Sequence, residues 1–299
     1  MFRGLAKFPD SGYFGGGNTG STSTAEIDSI IFNTEAASNP LAALSVARTR
    51  LAGVNSSTRG YFGGGGFPVT SEIDGIIFTN ETANNPSAVL AVARGAATGV
   101  SSSTRGYFAG GIPSGYSSEI DGIVFSNETA TNPAATLPAA RECGAGVSSS
   151  IRGYFGGGYT GTFYLSAIVG FTFSTETVTA PAATLTGVRV GMCGVSSSTK
   201  GYFCGGFTGS AASTEIDGIL FSNETAINPA AALSVARYGL AGVSSSTRGY
   251  FGGGFISARS VEIEGIIFST DTATNPAAAL SIARDTLAGV QPYGTTSGL

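Results

Sequence analysis

The strongest constraint on this chain is an internal repeat. A Tyr-Phe pair followed by small residues, mostly glycine, recurs six times, at intervals of 48, 46, 47, 48 and 48 residues. A unit of this length that repeats without drift predicts a closed or stacked array of one supersecondary motif. The six pairs are Tyr13-Phe14, Tyr61-Phe62, Tyr107-Phe108, Tyr154-Phe155, Tyr202-Phe203 and Tyr250-Phe251.

Each repeat contains four short segments separated by turn residues, as the last complete copy shows. Residues 240–246, 248–254 and 262–269 are strand candidates, and residues 277–282 follow an Asn-Pro stop as a fourth. The alanines of the fourth segment favour helix, but so short a segment does not form a stable one. Four strands per repeat predict an all-β fold, a six-bladed β-propeller of four-stranded antiparallel blades in which residues 1–299 form a single domain.

The order of residue sizes within a repeat predicts where each strand lies. The first strand is built of small residues such as Ala52-Gly53-Val54, which suits the crowded axis of the ring, and the bulkier Tyr-Phe strand lies one position further out. The serines that follow the first strand are expected to line or cap a narrow channel.

Ring closure can also be predicted, because residues 285–290 repeat the first strand alone. We therefore expect this C-terminal strand to join the N-terminal blade as its innermost strand and close the ring. Residues 3–8 compete for that position, and the segment that does not close the ring becomes an arm free to dock elsewhere.

Composition limits the chemistry that the chain can perform. It has no histidine, three cysteines without a Cys-x-x-Cys spacing, and a net charge of -4 with no basic cluster. We therefore expect no enzymatic activity, no cofactor, no metal site and no nucleic-acid partner, and we expect Cys143, Cys193 and Cys204 to be free buried thiols. Neither a signal peptide nor an apolar run of about 18 residues is present, which predicts synthesis in the cytoplasm and no membrane insertion.

Paired carboxylates recur at alternate positions of the third strand, so that both members share a face. They indicate either a cation site or scaffold ion pairs with Arg59, Arg105, Arg152, Arg248 and Lys200 across a neighbouring strand. Presence in most repeats favours the scaffold interpretation. The pairs are Glu26/Asp28, Glu72/Asp74, Glu119/Asp121, Glu215/Asp217 and the variant Glu262/Glu264.

The fourth repeat departs from this pattern. Residues 167–170 carry no carboxylate, and the preceding loop, residues 159–166, is the most aromatic in the chain. This combination indicates an apolar patch for sugar stacking or a partner protein, or else one blade that packs differently.

The loops between the second and third strands vary between copies, whereas the strands are nearly constant. By strand alternation these loops emerge on the same rim as the turns that carry an arginine in every repeat. Variable loops on a constant scaffold predict a recognition face, although unconstrained drift would leave the same pattern. The predicted ligand-binding residues are the aromatic contacts Tyr116, Tyr159, Phe163 and Tyr164 and a polar collar of Arg48, Arg94, Arg141, Arg189, Arg237 and Arg284.

These motifs together resemble the kelch-type β-propeller. Tyr-Phe-Gly-Gly stands where kelch blades carry an aromatic residue before two glycines, and the arginine of each repeat matches the one that follows the fourth strand of a kelch blade. The chain departs from that family in having no tryptophan. The near-identical Ser-Ser-Ser-Thr-Arg-Gly-Tyr-Phe-Gly-Gly-Gly copies are more similar to kelch-like repeat proteins of tailed bacteriophages, including cyanophages.

The narrower resemblance implies a non-enzymatic virion component, in the tail or adhesion apparatus, that recognises a surface ligand through its variable loops. Its partners would be other virion proteins or a glycan or protein of the host surface, and its location the virion, with the cytoplasm as the alternative. Two other interpretations stay open: a purely structural component of a virion or filament, and a bacterial carbohydrate-binding propeller. A homo-oligomer is compatible with each of them.

Overall fold

The protein is a six-bladed all-β propeller, as the repeat predicts. The computed structural model describes residues 10–142 and 144–294. The strands of this part of the chain form six sheets, each with four antiparallel strands in a blade. We number the blades 1 to 6 from the blade that contains Tyr13. No helix among the described residues is long and apolar enough to cross a membrane.

The strands are numbered β1 to β24 in chain order, and within each blade they follow one another from the axis outwards. Blade 1 consists of β24 (Ala288–Val290), β1 (Ser11–Gly15), β2 (Ile27–Ile31) and β3 (Ala36–Ser38); blade 2 of β4 (Ala52–Asn55), β5 (Arg59–Gly63), β6 (Ile73–Ile77) and β7 (Thr82–Asn84); blade 3 of β8 (Thr98–Ser101), β9 (Arg105–Ala109), β10 (Ile120–Val124) and β11 (Thr129–Thr131); blade 4 of β12 (Ala145–Ser148), β13 (Arg152–Gly156), β14 (Ile168–Thr172) and β15 (Thr177–Thr179); blade 5 of β16 (Cys193–Ser196), β17 (Lys200–Cys204), β18 (Ile216–Leu220) and β19 (Ala226–Ile227); blade 6 of β20 (Ala241–Ser244), β21 (Arg248–Gly252), β22 (Ile263–Ile267) and β23 (Thr272–Thr274).

The fourth strand of each blade lies earlier in the repeat than predicted. In blade 6 the chain reverses directly after Ile267, where Asp271 adopts a left-handed conformation (φ 54°) and its N–H donates to the Ile267 carbonyl. Thr272–Thr274 then pairs with β22 inside the segment interpreted as a turn. Residues 277–282, the predicted strand, instead contact the sheet through one isolated bridge at Ala279, so that part of the prediction is wrong.

The ring is closed by the C-terminal strand, as expected. β24 pairs antiparallel with β1, with Tyr13 opposite Val290 and Gly15 opposite Ala288. The blade that begins the chain therefore receives its innermost strand from the other end. The competing segment, residues 3–8, lies outside the described residues.

A ring of six glycines surrounds the axis, one on the innermost strand of each blade. A Cβ added to any of them would lie 2.0–2.3 Å from the carbonyl oxygen of the glycine in the preceding blade, which is far inside van der Waals contact. Only glycine permits the six innermost strands to approach this closely. The six are Gly53, Gly99, Gly146, Gly194, Gly242 and Gly289.

Further from the axis, each blade inserts apolar side chains into its neighbour. Val54 of blade 2 fills the space that a Cβ on Gly106 of blade 3 would occupy, and the same valine-glycine contact recurs at every joint. The second-strand tyrosine stacks on a phenylalanine that follows the third strand of the next blade, as in Tyr61–Phe125, where the ring centroids are 5.4 Å apart. Because each repeat packs only on its neighbours, the core is a set of six similar clusters.

The same tyrosines anchor a polar joint between blades. The Tyr61 hydroxyl donates to Glu128 of the next blade at 3.0 Å, and Arg59 forms an ion pair with that carboxylate at 2.5 Å. Glu128 lies in the turn before the fourth strand and has a positive φ of 54°. Equivalent acids, all in the left-handed conformation, occupy this turn in every blade: Glu35, Glu81, Glu128, Glu176, Glu224 and Asp271.

This arrangement corrects the predicted partners of the second-strand cations. Arg59, Arg105, Arg152, Arg248 and Lys200 pair with the turn acids of the next blade and not with the carboxylates of the third strand. The physical reason is which acid each cationic side chain can reach from its face of the strand. Each cation and the tyrosine two residues along the strand share a face, and that face meets the turn of the adjacent blade.

We predict that adding one methyl group to the glycine ring destabilises the whole propeller. Gly146→Ala places a Cβ about 2.0 Å from the Gly99 carbonyl oxygen. It should lower the free energy of unfolding by about 3 kcal/mol, because overpacking against backbone cannot be relieved by a rotamer change. Chemical denaturation measures the change. Gly115→Ala is the matched control, since nothing lies within 4 Å of a Cβ at that loop position, and equal stability of the two variants would contradict the prediction.

We also predict that the propeller loses stability in strong alkali. Burial and the adjacent acid raise the pKa of Tyr61, Tyr107, Tyr154 and Tyr250 to about 12, from about 10 in an unfolded chain. A raised pKa contributes stability that is complete below the unfolded value and is lost as the pH rises through the folded one. The free energy of unfolding should therefore fall between about pH 10 and pH 12.

Urea unfolding across this pH range, read together with tyrosinate absorbance, tests the alkaline prediction. Tyr61→Phe removes one titrating group and should make the fall with pH shallower. Titration of all tyrosines near their ordinary pKa in the folded protein, with no loss of stability, would show that these hydroxyls are not held by their partners.

Candidate functional site

The variable loops and the segments that follow the repeat arginines lie side by side on one rim of the ring. Glu142 bridges to Tyr159, Val190 to Phe207, and Tyr238 to Phe255. In each pair one residue follows an arginine and the other follows the glycines that end the second strand. Each bridge thus continues the pairing of the first and second strands of one blade onto the rim.

The six repeat arginines lie beneath this rim and are buried, with exposed fractions of 0–4%. Each reaches the second strand of the next blade, as where Arg48 Nη1 donates to the Gly64 carbonyl at 2.9 Å. Five of them also form ion pairs with the third-strand carboxylate of that blade: Arg48–Asp74, Arg94–Asp121, Arg189–Asp217, Arg237–Glu264 and Arg284–Asp28.

The predicted polar collar of arginines is therefore wrong as a surface feature. The six arginines join blades in the interior, because a backbone carbonyl at the end of the next blade's second strand, and in five of them a third-strand carboxylate, draws the guanidinium inwards: Arg48, Arg94, Arg141, Arg189, Arg237 and Arg284. The scaffold interpretation of the paired carboxylates is supported, with these arginines as the partners. The outer member of a pair stays more exposed, as in Glu119, whose carboxylate lies 3.5 Å from Arg94.

One joint lacks its carboxylate. Val169 of β14 occupies the position that Asp121 holds in β10, and no acid within the described residues forms an ion pair with Arg141. Arg141 Nη1 donates to the Gly157 carbonyl at 2.9 Å, while its Nε has no hydrogen-bond partner. Burial lowers the pKa of Arg141 to about 10. The fourth repeat thus leaves a buried positive charge without its usual compensation.

An aromatic arc runs along the rim directly above this joint and onwards over the following blades. Neighbouring ring centroids lie 5.7, 4.6, 6.2, 5.5 and 5.6 Å apart, so that each ring contacts the next. All of the rings are partly exposed. We call the set the rim arc; in order it comprises Tyr116, Tyr159, Tyr164, Phe207, Tyr238 and Phe255.

Loop glycines hold the rings of the rim arc in place. Gly161, with a positive φ of 94°, lies so close to Tyr116 that a Cβ would be 2.5 Å from the ring. Gly209 supports Tyr164 in the same way, at 2.6 Å. The Tyr159 hydroxyl donates to the Gly161 carbonyl at 2.7 Å. The arc is therefore fixed by packing before any ligand arrives, which reduces the entropy lost on binding.

The structure brings together three of the four aromatic residues proposed from the sequence. Tyr116, Tyr159 and Tyr164 lie in the rim arc, whereas Phe163 projects from the loop tip with 70% of its surface exposed. Phe207, Tyr238 and Phe255 were missed. A signal for two of them was present, because Tyr159, Phe207 and Phe255 each directly follow the glycines of their repeat.

The rim is polar rather than aromatic at blade 1. Arg259 stacks on Phe255 with its guanidinium carbon 5.4 Å from the ring centroid, and its Nε donates to the Asn18 carbonyl at 2.9 Å. It also pairs with Asp285 at 2.7 Å. This contact ends the rim arc and joins the last blade to the first. On blade 2, Phe67 is 72% exposed and lies outside the arc.

The opposite face of the ring contains a cavity of about 470 Å³ on the axis. It is lined by the glycine ring and by serines that end the innermost strands, as in Ser101 and Ser148. This confirms the expectation that the serines line a narrow channel. A second cavity of about 80 Å³, lined in part by Leu51, Met192 and Leu240, lies on the axis towards the rim.

Other candidate chemistry is sparse. No cluster of three or more histidine, cysteine, aspartate or glutamate residues able to hold a metal ion occurs in residues 10–142 and 144–294. Cys193 and Cys204 are free and buried, as predicted, and lie opposite each other in adjacent strands of blade 5. Cys143, the third predicted thiol, lies outside the described residues.

Comparison with known proteins leaves the family of the chain unassigned. No protein-family model matches the sequence, and no curated protein matches it significantly. Function must therefore be inferred from the geometry of the rim and of the channel.

We predict that restoring the missing carboxylate stabilises the protein. Val169→Asp should give Arg141 the partner that every other repeat arginine has, and should raise the free energy of unfolding by about 2 kcal/mol, the value of a hydrogen bond to a charged group. The matched variant Asp121→Val should lower it by about 3 kcal/mol, because it removes the buried carboxylate of Arg94 and leaves only the more exposed Glu119 beside it. Urea denaturation of both measures the contrast, and destabilisation by Val169→Asp would contradict it.

Proposed function

We propose that the protein is a non-enzymatic binding and assembly module of the kelch type, which serves in the virion of a tailed phage as a tail or adhesion component. In this proposal it recognises a ligand on the host surface through the rim arc and the variable loops around it. The observation that carries the proposal is the arc itself, because six aromatic rings form a continuous, partly exposed strip across blades 3 to 6.

The aromatic composition of the strip supports recognition. Tyrosine and phenylalanine rings are rigid, and they supply much contact area for little loss of conformational entropy, which is why they are enriched at binding hot spots. Tyr116, Tyr159 and Tyr164 also carry hydroxyl groups, and that of Tyr159 donates to the Gly161 carbonyl at 2.7 Å. Gly161 and Gly209 fix the rings of Tyr116 and Tyr164 by close packing. The stability of the propeller does not require such close packing in surface loops.

The placement of the carboxylates supports a role without catalysis. Five third-strand acids pair with buried arginines and five of the six turn acids pair with second-strand cations, so both sets hold blades together. Acid-base catalysis would require a carboxylate or another titrating group facing a cleft. The assignment to a phage is supported only by the near-identical amino-acid sequences of the repeats.

We predict that truncating two rings of the arc strongly weakens ligand recognition. Tyr159→Ala combined with Tyr164→Ala removes two neighbouring rings whose centroids are 4.6 Å apart. Binding to an array of bacterial surface glycans and to whole cells should weaken by about thirtyfold or more, since a single hot-spot aromatic contributes about 2 kcal/mol or more. The control is Phe67→Ala, which removes an exposed ring outside the arc.

Three outcomes separate the alternatives. Loss of binding in the double variant, but not in the control, supports recognition through the arc. Loss on whole cells indicates a host-surface ligand, and loss on the array indicates a glycan. Unchanged binding in the double variant means that this face is wrongly assigned. Electron microscopy of labelled particles tests the phage assignment, because a protein absent from every virion would leave a bacterial carbohydrate-binding propeller as the better interpretation.

A further inference from the structure

The axial cavity on the face opposite the rim has the chemistry of a small-molecule site. Its volume of about 470 Å³ falls within the range of ligand pockets. All six blades contribute to its wall, and the residues that line it are glycine, valine, serine, asparagine, glutamine and tyrosine. No charged side chain lines it among the described residues, whereas the surrounding scaffold uses charge at every joint.

A deep layer of hydroxyl groups circles the wall at the last residues of the innermost strands. The backbone N–H of Ser101 donates to Ser148 Oγ, and that of Ser148 to Ser196 Oγ, both at 3.0 Å. The Asn55 N–H likewise donates to Ser101 Oγ at 2.8 Å. These bonds join blade to blade and fix the position of each hydroxyl.

The same bonds leave hydrogen-bonding capacity directed at the channel. A serine hydroxyl has one donor and two acceptor sites, and the bond between blades uses one acceptor. Ser101, Ser148 and Ser196 therefore each retain an O–H proton and a lone pair. The amide side chains of Asn55 and Gln291 line the same cavity and add further donors and acceptors.

An outer layer surrounds the mouth of the cavity. Ser103, Ser150 and Ser198 lie in exposed turns between the first and second strands. Tyr293 follows β24, lines the mouth, and is held there by its N–H, which donates to the Ser56 carbonyl at 2.8 Å. The mouth thus combines hydroxyl groups with one aromatic ring.

We propose that the axial cavity binds a neutral polyhydroxylated molecule, such as a monosaccharide or a sugar alcohol. A ligand of this class donates and accepts hydrogen bonds at many points, as the two hydroxyl layers do, and its apolar face suits stacking on Tyr293. A charged ligand would lose its hydration without meeting an opposite charge. The proposal is independent of the rim arc, which lies on the other face.

The test uses ligand-observed saturation-transfer NMR with D-glucose, D-galactose, L-fucose and mannitol, each offered alone to the full chain. At least one probe should bind the unaltered protein. Ser150→Trp combined with Ser198→Trp places two large side chains at the mouth and should abolish that binding. Both positions are exposed turn residues, so the fold should tolerate the change, which thermal unfolding checks.

Two further variants control this test. Ser246→Trp changes the same turn position in blade 6, where the serine does not line the cavity, and should bind as the unaltered protein does. Ser148→Ala removes one deep hydroxyl and leaves the mouth open, and should weaken binding by about fivefold.

Two results would overturn the proposal. Absence of binding by all four probes would show that the cavity holds water alone. Binding that survives the tryptophan pair but is lost in the Tyr159→Ala, Tyr164→Ala variant would place the ligand on the rim arc instead.

Discussion

The closeness of six backbones at the axis is the constraint on which the rest of the structure depends. Each innermost glycine touches the carbonyl of the preceding one, and the circle includes Gly289 of the closing strand. This contact fixes how near the blades come to one another. The contacts further out must span the spacing that is set at the axis. They are the valine-glycine insertions, the tyrosine stacks and the arginine ion pairs.

The pairing of charged residues between blades follows from that geometry. The free-energy cost of an ion pair between blades is smaller when neither side chain has an alternative position. Arg94 and Asp121 are held in this way by the strands on either side. The joint at Arg141 shows what happens when one partner is lost: the ring keeps its shape, because backbone and apolar contacts still fix the spacing. The loops above that joint carry tyrosine side chains. The buried arginine that has no carboxylate partner therefore lies beneath the most aromatic part of the rim.

Much of this fold could be predicted from the sequence, since the number of blades, the axial strand and the closing strand each follow from repeat period and residue size. The fourth strand could not, because its position depends on Asp271 and its equivalents adopting a left-handed conformation that composition does not reveal. The pairing of arginines failed for a related reason. Four of the six repeats carry two cations and three acids at these positions, which allows more than one set of partners, and only the spacing between blades selects one. The rim arc was found in part, because contacts between loops of different repeats are not encoded in any single repeat.

The closing contact between β24 and β1 has a consequence for synthesis. Blade 1 has its second, third and fourth strands at the start of translation but lacks the innermost one until the last repeat has been made. Until then β1 presents an unpaired edge, and Gly53 lacks Gly289, one of its two neighbours at the axis. The intermediate blades can fold on one another as they emerge, since each contacts only its neighbours. The nascent protein is therefore an open crescent with one bare strand edge for most of its production, and it becomes a ring in a single late step that joins its two ends.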